Sequence, residues 1–210
     1  MTPTALLQKL WVSHLQLSAS AGALRSSLRA HAESVVEDHI ALRTFNLPKV
    51  GLGAMAEPWL ARGWLESGKY TFPGKHLRAR SYSHPAGELP RIFISELCLE
   101  QVSPTLQRVA GECVEFVQGA GTDLLTAGRP WPAVDIATYQ TVRAESEYAA
   151  WLIVFGYVAN HFTVSVNHLK GFDNLVQLNQ WVLEQGLSLN TSGGAIKGSR
   201  QQGLQQSSTL

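Results

Sequence analysis

The 210-residue sequence predicts an α+β fold built from two β-α-β-β type modules, with an N-terminal helix and additional helices. Three observations lead there. Helical and strand periodicities alternate along the chain. Asp38-His39-Ile40-Ala41-Leu42 in the first half matches Asn160-His161-Phe162-Thr163-Val164 in the second in pattern. Further on, Leu65-Glu66-Ser67-Gly68 parallels Leu183-Glu184-Gln185-Gly186 in the same order, which reads as a faint internal repeat.

Hydrophobic residues make up 45% of the chain, enough for a packed core and too many for a disordered chain. Seventeen basic residues against sixteen acidic ones leave a net charge of +1. A nucleic-acid binder needs a basic surplus to neutralise phosphates, and none is present.

The elements follow in order. Residues 5–32 carry scattered leucines and few breakers, as a helix does, with Ser18 to Gly22 as an interruption. Over residues 35–45 the period changes to two, with Val36, Ile40 and Leu42 on one parity and His39, Ala41, Arg43 and Phe45 on the other. Pro48 and glycines 51 and 53 make a turn into a helix over residues 54–66, closed by Gly68. Strands are predicted over residues 76–82 and 91–97, joined through His84-Pro85-Ala86-Gly87. Ser103-Pro104 then caps and opens a helix reaching Val117.

Residues 119–132, with their glycines and prolines, begin a connector. Beyond it the pattern predicts a helix over 144–155, a strand over 158–166 and a helix over 173–185. Residues 187–210 have the composition of a flexible tail, yet Ser207-Ser208-Thr209-Leu210 reads as the start of a strand, so a fragment of a longer chain is expected. The predicted division is a single domain, 1–210. It comprises an N-terminal helical segment, 1–32, a first module with its following helix, 33–118, a connector, 119–143, and an incomplete second module, 144–210.

Cys98 and Cys113 are too few for a disulfide framework or a zinc cluster and are expected to be buried thiols. Met1-Thr2-Pro3-Thr4 opens no signal-peptide pattern, and Tyr148 to Val158 is too short an apolar run to span a bilayer. A cytoplasmic protein without a membrane partner is the expectation.

Parity decides which polar side chains can converge. His39 and Arg43 share one face of a strand, about 13 Å apart along it. His161, Thr163, Ser165 and Asn167 share a face of the second strand, whereas His168 falls on the apolar parity and cannot join His161 at one metal. Two such faces meeting across a cleft would present two imidazoles, and with a carboxylate these make the facial triad of non-haem Fe(II) enzymes. Hydrogen-bonded structural histidines satisfy the same spacing, and Arg43 fits either an ion pair or a bidentate clamp for a substrate carboxylate. Trp59, Trp64, Trp151 and Trp181 are read as core residues of helices. Gly119-Ala120-Gly121-Thr122-Asp123 lacks the lysine of a phosphate loop, and Ser192-Gly193-Gly194 lacks the surroundings of a nucleophile elbow.

The segment Val36 to Phe45, Asn160-His161-Phe162-Thr163, and Leu189-Asn190-Thr191-Ser192-Gly193-Gly194 resemble the 2-oxoadipate dioxygenase/decarboxylase family, also called 2-hydroxyglutarate synthase. The resemblance runs in order through most of the chain. It implies a vicinal-oxygen-chelate-like scaffold whose paired modules form a cleft. It also implies Fe(II)-dependent conversion of 2-oxoadipate and O2 to 2-hydroxyglutarate and CO2, in lysine breakdown. His39 and His161 would then be the imidazole ligands and Arg43 the substrate-binding residue. The family's third ligand is a late-strand Glu. Residues 162–210 offer only Glu184, within a helix, so that Glu is expected beyond Leu210, with Glu96 and Glu100 as in-chain substitutes. Another enzyme on the same scaffold (a lyase, isomerase or extradiol dioxygenase) and a non-catalytic interaction module are the competing readings.

Overall fold

The structure is a computed structural model describing residues 1–32, 34–199, 201 and 204–210. The chain falls into two compact units, Met1–Gln16 with Glu37–Thr163, and Leu17–Val36 with Val164–Leu210.

Nearly all the core lies in the first unit. Helix α1 (Pro3–Leu17) buries Leu6 and Leu10. The predicted 5–32 helix breaks at Ser18, and α2 (Ala19–Leu28) begins beyond it. Strand β1 (Glu37–Phe45) is followed by α3 (Leu52–Leu60), β2 (Leu65–Phe72), β3 (Leu77–Ser83) and β4 (Arg91–Leu97). With β5 (Ala159–Val164) they form a five-stranded sheet in the order β2-β3-β4-β1-β5. Strand β1 runs parallel to β4, while β3 is antiparallel to both β2 and β4. On one face Ile40, Leu42, Ile92 and Ile94 are wholly buried in a cluster with Met55 and Trp59 of α3.

Two expectations need correction. The helix over 54–66 ends at Leu60, and Leu65-Glu66-Ser67-Gly68 opens strand β2. That segment therefore does not correspond to Leu183-Glu184-Gln185-Gly186, which closes a helix. Strand β2 is an edge strand exposed on both faces, so no apolar alternation marked it. The connector over 119–143 contains a helix, α5 (Ile136–Glu145), capped by Asp135 through the Thr138 N–H. Its face buries only Val142, too weak a stripe to read.

Helix α4 (Pro104–Glu115) starts as predicted, its Ser103 hydroxyl accepting the Leu106 N–H. Helix α6 (Glu147–Phe155) is capped by Ser146 in the same way. It leads into β5 through Gly156, at φ 74°, packed against the backbone of Gly128 so closely that any Cβ would collide with it. Gly128 and Tyr157 exchange backbone hydrogen bonds of 3.1 and 2.7 Å there, fixing where β5 begins. Both cysteines are buried free thiols, and burial pushes Cys113 up to about 12.

In the second unit, α7 (Leu175–Glu184) is capped by Asn174, and β6 (Lys197–Ser199) pairs antiparallel with β7 (Leu204–Gln206). The segment read as a tail thus carries a two-stranded ribbon. His31 stacks with Phe172 and Trp181, at 4.6 and 5.2 Å between centroids. Among the described residues, no helix is long and apolar enough to cross a membrane.

Candidate functional site

Three polar positions singled out by sequence lie in the first unit, on β1 and β5. The α1 helix holds β5 in place: Trp11 packs edge-on against Phe162, and His14 Nδ1 donates to the Ala159 carbonyl at 2.9 Å. With Phe162 turned toward α1, period-two alternation sends His161 and Thr163 the other way. They meet His39. Its Nε2 lies 3.3 Å from Nε2 of His161 and 3.1 Å from the Thr163 hydroxyl.

The far side of each ring is held as well. Asp38 Oδ2 lies 2.8 Å from His39 Nδ1. An ionised carboxylate can only accept, so Nδ1 donates to it and Nε2 is the nitrogen left facing His161. The His39 imidazole and the arginine Arg91 hold Asp38 below the usual carboxylate range, against the opposing effect of burial. On the other ring, the Asn160 carboxamide lies 2.9 Å from His161 Nδ1 while its own Oδ1 is buried without a partner. Turned by half a revolution, the carboxamide would accept Nδ1–H and leave Nε2 of His161 a lone pair.

His161 keeps an exposed edge, but crowding by protein on its other side and the nearby His39, Arg43 and His14 hold its pKa down to about 4. It is therefore neutral at pH 7. Two imidazoles with facing nitrogens 3.3 Å apart match two ligands of one metal ion. Nitrogens about 2.1 Å from an ion, at an angle near 100°, stand roughly 3.2 Å apart. The donor set thus suits a first-row divalent metal.

Arg43 lies on the same face of β1. Its guanidinium sits 5.0 Å above the Tyr148 ring and 4.8 Å above the Trp151 ring, both from α6. Burial draws its pKa below the usual arginine range, Tyr148 opposing, but a guanidinium stays charged at neutral pH. It makes no ion pair with any described carboxylate. Tyr148 also donates to the Ser95 carbonyl at 2.7 Å, tying α6 to the sheet. A guanidinium set over two aromatic rings, with no ion pair to a described carboxylate, has the chemistry to receive one.

Sequence reasoning passed over Asp38, Asn160, Tyr148 and Trp151. The first two were visible as the residue before each histidine in the matched segments. Trp151 was read as core, and the i, i+3 spacing of Tyr148 and Trp151, which puts both rings on one face, was the available signal.

Glu96 is occupied elsewhere. It pairs with Thr44 in the β1–β4 register and so faces away from His39 and Arg43. Its carboxylate accepts the Leu52 N–H at 2.9 Å and meets Arg78 at 2.9 Å. Glu100 accepts from Asn46, and Glu184 lies in α7. His168 is in a 3₁₀ turn with Nδ1 2.9 Å from the Ser165 hydroxyl. Among the described residues, no group of three or more His, Cys, Asp or Glu side chains could hold a metal.

The fold and site define an α+β protein with two convergent imidazoles and a stacked arginine on one sheet. A profile of the 2-oxoadipate dioxygenase/decarboxylase family matches residues 5–118 and 111–210. The chloroplastic 2-oxoadipate dioxygenase/decarboxylase of Arabidopsis thaliana is 37% identical over 189 residues, 82% of this chain and 51% of that one. A crystal structure from Shewanella frigidimarina, carrying a provisional hydrolase name, superposes with a TM-score of 0.91 at 42% identity, covering 99% of this chain and 82% of that one. The hydroxyglutarate synthase of Oryza sativa, solved in complex with 2-oxoadipate, gives 0.87 at 30% identity, covering 98% and 71%. The chain belongs to the 2-oxoadipate dioxygenase/decarboxylase family, and it spans about half the length of the curated relatives it matches.

Proposed function

We propose that this chain carries the metal- and substrate-binding sheet of an Fe(II)-dependent enzyme converting 2-oxoadipate and O2 to 2-hydroxyglutarate and CO2, in cytoplasmic lysine breakdown. The observation that carries the reading is the facing pair of Nε2 atoms, 3.3 Å apart, on a sheet face that also presents an arginine with no carboxylate partner among the described residues. Family membership and the rice relative's complex with 2-oxoadipate support the substrate class.

His39 and His161 would hold the metal through Nε2. Bound there, Fe(II) supplies the Lewis acidity and the electrons that activation of O2 requires. The chain's own residues do the rest. Asp38 keeps the proton of His39 on Nδ1 and orients the ring. Arg43 binds a substrate carboxylate through the edge of its guanidinium and fixes the substrate's orientation. Tyr148 and Trp151 hold that guanidinium in one plane before substrate arrives, so little of its freedom is lost on binding.

The test is O2 uptake by the Fe(II)-loaded protein with 2-oxoadipate, with 2-hydroxyglutarate quantified alongside. Uptake matched one-to-one by product, and abolished in His161→Ala, is the expected result. Product formed without O2 consumption, or undiminished in His161→Ala, would overturn the reading.

A further inference from the structure

We propose that Arg91 is a second anion contact of this site, holding the carboxylate next to the keto group of a 2-oxo dicarboxylic acid while Arg43 holds the distal one. The inference deepens the substrate reading above and rests on it. Its basis is register. In the parallel β1–β4 pair, His39 stands beside Arg91, Ala41 beside Phe93 and Arg43 beside Ser95. Neighbours across strands lie about 4.8 Å apart and project to the same face. The Ser95 hydroxyl, 3.0 Å from the Tyr148 hydroxyl whose ring stacks on Arg43, independently marks that face. Arg91 therefore belongs to the imidazole's row, and Arg43 lies two rows on, about 13 Å along the strand. Between them Ala41 keeps the floor low.

Charge pairing separates the arginines of the described strands into two sets. Arg78 and Arg80 are adjacent in register to Glu96 and Ile94, on the opposite face, and each has a carboxylate: Glu96 at 2.9 Å and Glu66 at 3.0 Å. Arg43 and Arg91, on the face of His39, have none within ion-pair distance among the described residues. The Arg91 side chain makes no hydrogen bond or ring contact there either, and it is exposed. Its field reaches Asp38, but that carboxylate is committed to His39 Nδ1. A dicarboxylate lying along β1, its 2-oxo end at the imidazoles, would neutralise both arginines at once.

The experiment is calorimetric binding of 2-oxoadipate and of 2-oxohexanoate, which lacks the distal carboxylate, to the anaerobic protein with Mn(II) in place of iron. Arg91→Gln should weaken both ligands alike, by about tenfold to a hundredfold, the loss of one charge-assisted contact. Arg43→Gln should weaken 2-oxoadipate alone. Circular dichroism should show both variants folded, since Arg91 is exposed and Arg43 lies beside the core. Unchanged binding of both acids by Arg91→Gln, or weakening of 2-oxoadipate only, would overturn the assignment. A wild-type protein that binds neither acid would instead overturn the substrate reading on which it rests.

Discussion

Nε2 of His39 and Nε2 of His161 face one another at 3.3 Å although 122 residues separate them in the chain. Each ring is gripped from behind at Nδ1 by the residue that precedes it, Asp38 in one case and Asn160 in the other. The dipeptide does two jobs at each position. It supplies a ring nitrogen facing the other imidazole and the partner that orients the ring.

The first prediction concerns that partner. Asp38→Asn removes the acceptor charge that fixes the proton on Nδ1 of His39. Metal affinity should fall about 10- to 100-fold, the usual size of such losses, with the fold intact. Competition with a chromophoric chelator measures it, and an unchanged affinity would show that Asp38 does not orient the ring.

Arg43→Lys replaces a planar fork lying over two aromatic rings with a mobile point charge. An increase in KM for the 2-oxo acid and a fall in kcat/KM of about tenfold or more are expected. Trp151→Ala, which removes one stacking face worth about 0.5–2 kcal/mol, should raise KM by a smaller factor. Steady-state kinetics at saturating O2 separates the two, and full activity in Arg43→Lys would end the clamp model.

Glu96 is predicted to matter for stability alone. Its side chain is 7% exposed and serves the Leu52 N–H and the half-exposed Arg78 together. Gly51 lies so near that an added Cβ would come to 3.2 Å from the carboxylate. Glu96→Ala should cost about 2–3 kcal/mol in urea unfolding, at the low end for a buried pair because Arg78 reaches solvent. Metal content should be untouched.

His14 predicts a pH dependence. Burial lowers its pKa from 6.5, against the opposing hydrogen bond to the Ala159 carbonyl. As pH falls through 6.5 the unfolded chain takes up a proton that the folded one refuses, so stability is lost on the acid side and kept above it. His14→Gln should flatten the loss between pH 7.5 and 5.5 in urea titrations. Parallel curves for variant and wild type would remove His14 from the account.

Much of this was legible because period and parity are local. Strand β4 over Arg91–Leu97 and the Ser103-Pro104 helix start coincide with the reading of the sequence, since alternation and capping are written in adjacent residues. The shared face of His39 and Arg43 followed from counting by two. What failed was non-local. Leu65–Phe72 became a strand because β3 offers it hydrogen-bond partners, not because its side chains alternate. Trp151 does pack against the core, but nothing in its own helix reveals the guanidinium arriving from β1. Glu96 was open to several roles until the register turned it away from the histidines.

Titration of the metal-free protein with Co(II), followed by its visible absorption, tests the central claim most directly. The account predicts one equivalent bound with imidazole ligation, and loss of the spectrum in both His39→Ala and His161→Ala, each still folded by circular dichroism. An unchanged spectrum in either variant would contradict it, because the two rings would then not share an ion.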